Sequence, residues 1–226
     1  MALIDFQTAL GRLVRAPDGG DPLRRLSLDD RERLSIAALT GSAGFRVTVA
    51  IQRSWCEGRA SRAAHLTLSL VNEEQRKRLL EEWTRTGAGT SSFFDAEGDA
   101  FLEFLSARLD DRSLALSMCR IERATLRASE GAGSFVKPAL SRLGDPECVV
   151  RACRFASLVL CDTEPHLVLF APGLDGLWRP ASREEADLWA RLSAPVAVRD
   201  LLVAGYEQGA MEALLEAGAM EYEGVG

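Results

Sequence analysis

Histidine is scarce in this sequence: His65 and His166 are the only two, and they lie in widely separated stretches. No C-x-x-C accompanies them, so the ligand spacing of a zinc site is missing. Five cysteines, Cys56, Cys119, Cys148, Cys153 and Cys161, make an odd set. Most have apolar neighbours, as reduced core thiols do, which argues against a disulfide framework. A cysteine nucleophile would need a histidine in reach, and both histidines read as structural, one in a helical stretch and one heading a strand. Gly-x-Gly-x-x-Gly, the P-loop, the Gly-x-Ser-x-Gly elbow and H-E-x-x-H are all missing. GAGTSS and GAGS lack the lysine and the strand-to-helix setting of a phosphate loop and read as breaks. No run approaches the roughly 18 apolar residues of a membrane span. MALIDFQTAL has neither the basic start nor the small-residue cleavage site of a secretion signal, so a cytoplasmic setting is expected.

What is present is an ordinary globular composition, 226 residues with 47% hydrophobic and 27% charged, enough for one large core or two modest ones. Charge is unevenly spread. From Glu147 onward six arginines and no lysine face thirteen Asp and Glu, a balance of −7, while the preceding residues hold 21 basic and 20 acidic groups.

The first two thirds read as helices. Leu3, Phe6, Leu10, Leu13 and Val14 recur at helical spacing until APDGGDP forbids continuation. Ser27 and Asp30 have capping-box spacing for a helix to about Leu39. From about Gly44 to Cys56, Val47, Ile51 and Trp55 share one line and Arg46 and Arg53 another. Asn72 and Gln75 open a helix that buries Leu79, Leu80 and Trp83. Phe101, Leu102, Leu105 and Leu109 form one apolar face, and Leu114, Met118, Ile121 and Thr125 the next, closed by Gly131; an antiparallel helix pair is expected.

Residues 132–146 dissolve into glycine, proline and serine, so the expected organisation is a helical domain over 1–131, a linker over 132–146 and a second domain over 147–226. In the second domain, Val149 to Cys161 reads as a strand or a bent pair, HLVLF as a second strand, and LWR as a short third. Ser182 and Glu185 then open a helix to Leu192. A short helix spans Val198 to Ala204, and a last one runs from Glu207 to Ala217, stopped by Gly218. The fold class is therefore α+β: an all-α N-terminal domain and a small winged-helix-like domain of three strands then three helices.

A winged helix raises the question of DNA. The recognition helix would be EQGAMEALLEAG, which carries Glu207, Glu212 and Glu216 and no basic residue, so phosphate repels it. An extended peptide added to the sheet edge needs no basic surface. Leu177, Trp178 and Arg179 then form the edge, with Met211, Leu214 and Leu215 as groove floor.

The segment FLEFLSARLDDRSLALSMCRIERATLRAS, followed by LVLFAPGLDGLWRPASREEADLWARLSAPVAVRDLLVAGYEQGAMEALLEAGAM, resembles the partner subunits of multinuclear non-haem iron oxidative enzymes, notably of the 3-thiaglutamate and methanobactin pathways. The resemblance covers about Phe101 to Met220. It implies a heterodimer with a TIM-barrel protein that holds the iron, and a precursor peptide whose cysteine is presented to that iron. The 3-thiaglutamate type is preferred for this chain. No cofactor is implied in this chain, and no nucleic acid or membrane partner. The family supplies no invariant triad to lay on the sequence. Arg46, Arg53 and Trp55 form the expected partner interface, the two arginines facing an acidic patch of the barrel protein or a peptide carboxylate, since guanidinium pairs carboxylate in a fork.

Overall fold

The computed structural model describes Gln7, Leu10, Gly11, Leu13 and Val14, all helical, and residues 29–86, 94–161 and 166–223. Leu3, Phe6 and Ser27 lie outside the described residues. The protein is mixed α and β, with two small three-stranded antiparallel sheets. It divides into two compact units, 1–108 and 109–226.

The first unit holds α1 (Asp30–Thr40), α2 (Ala43–Ala63), α3 (His65–Ser69), α4 (Glu73–Arg85) and α5 (Phe94–Ser106). The capping box of α1 is formed by Asp29 and Glu32, two residues beyond the Ser27 and Asp30 pair expected from spacing. Both pairs satisfy the same i, i+3 rule, and Asp29 is the one whose carboxylate accepts the Glu32 N–H at 2.8 Å. Ser42 caps α2, which outruns its expected end at Cys56 until the backbone turns out of helical geometry at Ala64. Asn72 caps α4 as its spacing predicts. Trp83 lies 5.2 Å from Phe101 and 5.3 Å from Phe104, ring centre to ring centre, and this aromatic trio anchors the unit's core. Among the described residues no single helix is long and apolar enough to cross a membrane.

The second unit holds α6 (Leu114–Ala132), β1 (Val149–Ala152), β2 (Ser157–Cys161), β3 (His166–Phe170), β4 (Trp178–Pro180), α7 (Arg183–Arg191), β5 (Val196–Ala197), α8 (Val198–Val203), α9 (Gln208–Glu216) and β6 (Met220–Tyr222). One sheet has the order β5-β1-β6 and the other β2-β3-β4. Among the described residues six strands therefore replace the expected three. The stretch 149–161 supplies two strands that part into different sheets, because the Cys153 N–H donates to Ala219 O at 2.7 Å rather than continuing toward β3. Beyond the Gly218 stop, Met220–Tyr222 form a further strand that pairs with β1. Strands this short carry almost no periodic signal of their own.

The division after Arg108 assigns α6 to the second unit, so the expected boundary at 132–146 is not where the compact units part, and the expected pair of 101–109 with 114–131 straddles two units. The buried face of α6 also differs from expectation. Leu114 is half exposed and Thr125 exposed, whereas Ala115, Leu116, Ser117, Cys119, Ala124, Ala128 and Gly131 are buried. Ala124 and Ala128 pack on Val159 and Phe170 of the β2-β3-β4 sheet. Small side chains let a helix lie close on a sheet, and a ranking by hydrophobic bulk overlooks them. The sheet's other face meets the main core, where Leu158 and Leu169 join Leu188, Leu201, Met211 and Leu214.

Candidate functional site

β4, the edge expected to take a peptide, is an edge strand. Trp178 is 55% exposed, and Leu177, with φ 68°, sits in the turn before the strand and packs against the cluster under α6. Arg179 forks onto Glu185, its Nη1 and Nη2 donating to the two carboxylate oxygens. The same carboxylate accepts the Ser182 N–H at 2.8 Å, so one glutamate closes both the capping box of α7 and the β4 fork. The Arg179 hydrogen bonds hold the Glu185 carboxyl below the usual glutamate range, opposed by burial and helped by Ser182.

That shift sets a pH dependence. A carboxyl whose folded-state pKa is depressed contributes stability above its unfolded value, near 4.3, and loses it as pH falls through the folded value. Urea midpoints followed from pH 6 to pH 3 on the order of one pH unit per step should fall more steeply in the parent chain than in Glu185→Gln. Parallel curves would remove the Arg179–Glu185 account.

The ladder limits what β4 can offer. Ala171 N–H donates to Leu177 O and Ala181 N–H to Leu167 O, and the register aligns Leu169 with Arg179. Alternation along an antiparallel pair then turns Arg179's backbone inward and that of Trp178 and Pro180 outward. Proline has no N–H, and the Pro180 carbonyl already accepts from Arg179 Nη1 at 3.0 Å. Within β4, Trp178 alone presents both groups outward. The expected groove floor does not exist either: Met211, Leu214 and Leu215 are at most 1% exposed and fill the core.

The opposite edge is β2, which no sequence pattern marks as an edge. Since Leu167, Leu169 and Ala171 direct their backbone toward β4, His166, Val168 and Phe170 direct theirs toward β2, engaging Cys161, Val159 and Ser157. The N–H and C=O of Leu158 and Leu160 therefore point away from the sheet, and among the described residues no strand pairs with them. Beside this edge lies a groove of about 320 Å³ lined by Ser157–Leu160 and by Arg120, Arg123, Ala124 and Arg127 of α6. Among the described residues no carboxylate lines it. The arginines recur at i, i+3 and i+7, one face of a helix, and that spacing is the signal the sequence offers for this groove.

Arg46, Arg53 and Trp55 all belong to α2 in the first unit and all are exposed. Arg53 Nε donates to Thr84 Oγ1 at 3.2 Å and pairs with Glu57 at 3.6 Å. Val47, Ile51 and Trp55 are 58%, 52% and 66% exposed, so the line read from sequence is an outward apolar stripe.

Inside the same unit, Glu97 is buried, and its carboxylate accepts from Arg59 Nε at 2.6 Å and Nη2 at 3.3 Å. The Cys56 thiol donates to Glu97 Oε1 at 3.5 Å, and burial, with the Glu97 charge next, pushes that thiol up to about 11. Burial also raises Cys153. Both thiols stay protonated at neutral pH and are poor nucleophiles. His65 and His166 are exposed and fall in different units. Among the described residues no group of three His, Cys, Asp or Glu is placed to hold a metal ion. No protein-family model, no curated protein and no solved structure matches this chain.

Proposed function

We propose that this chain is a peptide-binding partner subunit, with a C-terminal winged-helix-like unit that takes a ribosomally made precursor peptide as an added strand and a helical unit that docks a TIM-barrel multinuclear iron oxidase. Oxidative modification of the peptide's cysteine, of the 3-thiaglutamate type, then takes place at iron held by the other subunit. One observation carries the peptide part: a three-stranded antiparallel meander with unpaired backbone at its edge, followed by helices. Docking through the helical unit is supported by the exposed Val47, Ile51 and Trp55 stripe flanked by Arg46 and Arg53, an aromatic and arginine combination enriched at protein interfaces.

Co-expression with the iron oxidase should yield a one-to-one complex that carries iron and turns over the precursor peptide. Trp55→Asp should weaken assembly by about tenfold or more, as burying an unpaired charge does. Duplex DNA binding that collapses with salt would replace this reading with that of a transcriptional regulator. Assembly and turnover unchanged in Trp55→Asp and in the double variant Arg46→Ala/Arg53→Ala would displace α2 as the docking face.

A further inference from the structure

We infer that the open edge of β2, with the arginine row of α6 beside it, binds an extended acidic peptide segment in which carboxylates alternate with apolar residues. The inference rests on the reading that the second unit takes a peptide strand; it names the edge and the chemistry of the guest.

Leu158 and Leu160 present two N–H and two C=O groups outward at the spacing of a β-ladder, four hydrogen bonds for an incoming strand. The β4 edge presents one complete residue and a proline. β2 is therefore the better template, and nothing in its five residues, Ser157 to Cys161, blunts it with proline or charge.

The pleat then sets the guest's pattern. Val159 faces α6, packing with Ala124 and Ala128, while Leu158 turns to the opposite face and main core. Guest residues directly opposite Leu158 and Leu160 share the leucine face, where Leu160 is 49% exposed and offers apolar contact. The intervening guest residues face α6, where Arg120, Arg123 and Arg127 line the groove. Each of these arginines also has an interaction within the fold. A guanidinium carries five N–H donors, so an existing partner leaves others for a guest carboxylate. A lysine-rich guest would meet three arginines in a groove whose described lining holds no carboxylate.

The test uses the full chain and two labelled synthetic peptides, one alternating glutamate with valine and a twin with lysine in place of glutamate. The acidic peptide should bind at least about tenfold tighter than its twin, the worth of one charge-assisted hydrogen bond. On binding, hydrogen exchange at the Leu158 and Leu160 amides should slow. Leu160→Pro removes an outward N–H without breaking the β2-β3 ladder and should weaken binding about tenfold, as should Arg120→Glu. Exchange slowed at Trp178 instead, with Trp178→Ala rather than Leu160→Pro weakening the complex, would overturn the choice of edge while leaving peptide binding intact. Equal affinity for the lysine twin would overturn the acidic preference. An oligothymidylate that binds and is indifferent to Leu160→Pro would assign the arginines to phosphate instead. Binding of neither synthetic peptide, when the natural precursor peptide does bind, overturns this inference alone; failure of all three overturns the peptide reading with it.

Discussion

Glu97→Ala should destabilise the helical unit by about 3 kcal/mol or more, the range for stripping one partner from a buried ion pair. Glu97 has a side-chain exposure of 3% and Arg59 of 21%, so the arginine is left mostly within the protein with its main acceptor removed. The Cys56 thiol loses the Glu97 acceptor at the same time. Urea unfolding of the full chain followed by circular dichroism should show the helical transition moved to lower denaturant. Glu97→Gln keeps an acceptor oxygen without the charge and should fall between. The double variant Arg59→Met/Glu97→Leu should be more stable than Glu97→Ala, because it removes both charges and fills the space they leave. A midpoint unmoved in Glu97→Ala would mean that the pair contributes nothing to the fold.

Gly218→Ala should cost the second unit about 3 kcal/mol, from two sources that add. Gly218 has φ 70°, the left-handed region, where a β-carbon costs about 1–2 kcal/mol. It ends α9 in a Schellman arrangement, the Ala219 N–H donating to Leu214 O at 2.8 Å and the Gly218 N–H to Leu215 O at 2.9 Å. A β-carbon there would also lie 2.6 Å from the Phe135 ring and 3.1 Å from Pro172. Overpacking of this kind costs about 1–3 kcal/mol unless the ring can move. Phe135→Ala removes the second source and leaves the first, so a double-mutant cycle should show a favourable coupling of about 1 kcal/mol or more. Additive effects would mean that the ring yields freely. Gly173 touches the same ring, 2.6 Å from the position of a β-carbon, and its other near neighbour is the Glu216 carbonyl at 2.8 Å, which cannot swing aside.

Much of the second unit's local structure was legible in advance. The Ser182–Glu185 capping box, the stop at Gly218 and the turn into β4 all lie where residue chemistry over a few positions predicts them. The candidate site was less so. Trp178 and Arg179 do lie on an edge strand, while Met211, Leu214 and Leu215 are as apolar as a groove floor and as a core, and composition does not separate the two. The β2 edge is not legible in the sequence because HLVLF and SLVLC both read as strands, and which of them is central depends on a third strand elsewhere in the chain.

Sequence alone determined the helix caps, the chain breaks, the shortage of catalytic motifs and the acidic balance of the C-terminal region, since each depends on residue type or on spacing within one or two turns. Tertiary structure decided that α6 joins the second unit through its alanines, that 149–161 feeds two sheets, and that Leu158 and Leu160, paired by no described strand, turn their backbone outward beside a groove lined by three arginines. The physical reason is range. A cap is closed by atoms three residues apart, whereas the direction of a strand's N–H groups is set by its partner's register, and the same leucine can face core, solvent or guest according to where that partner lies.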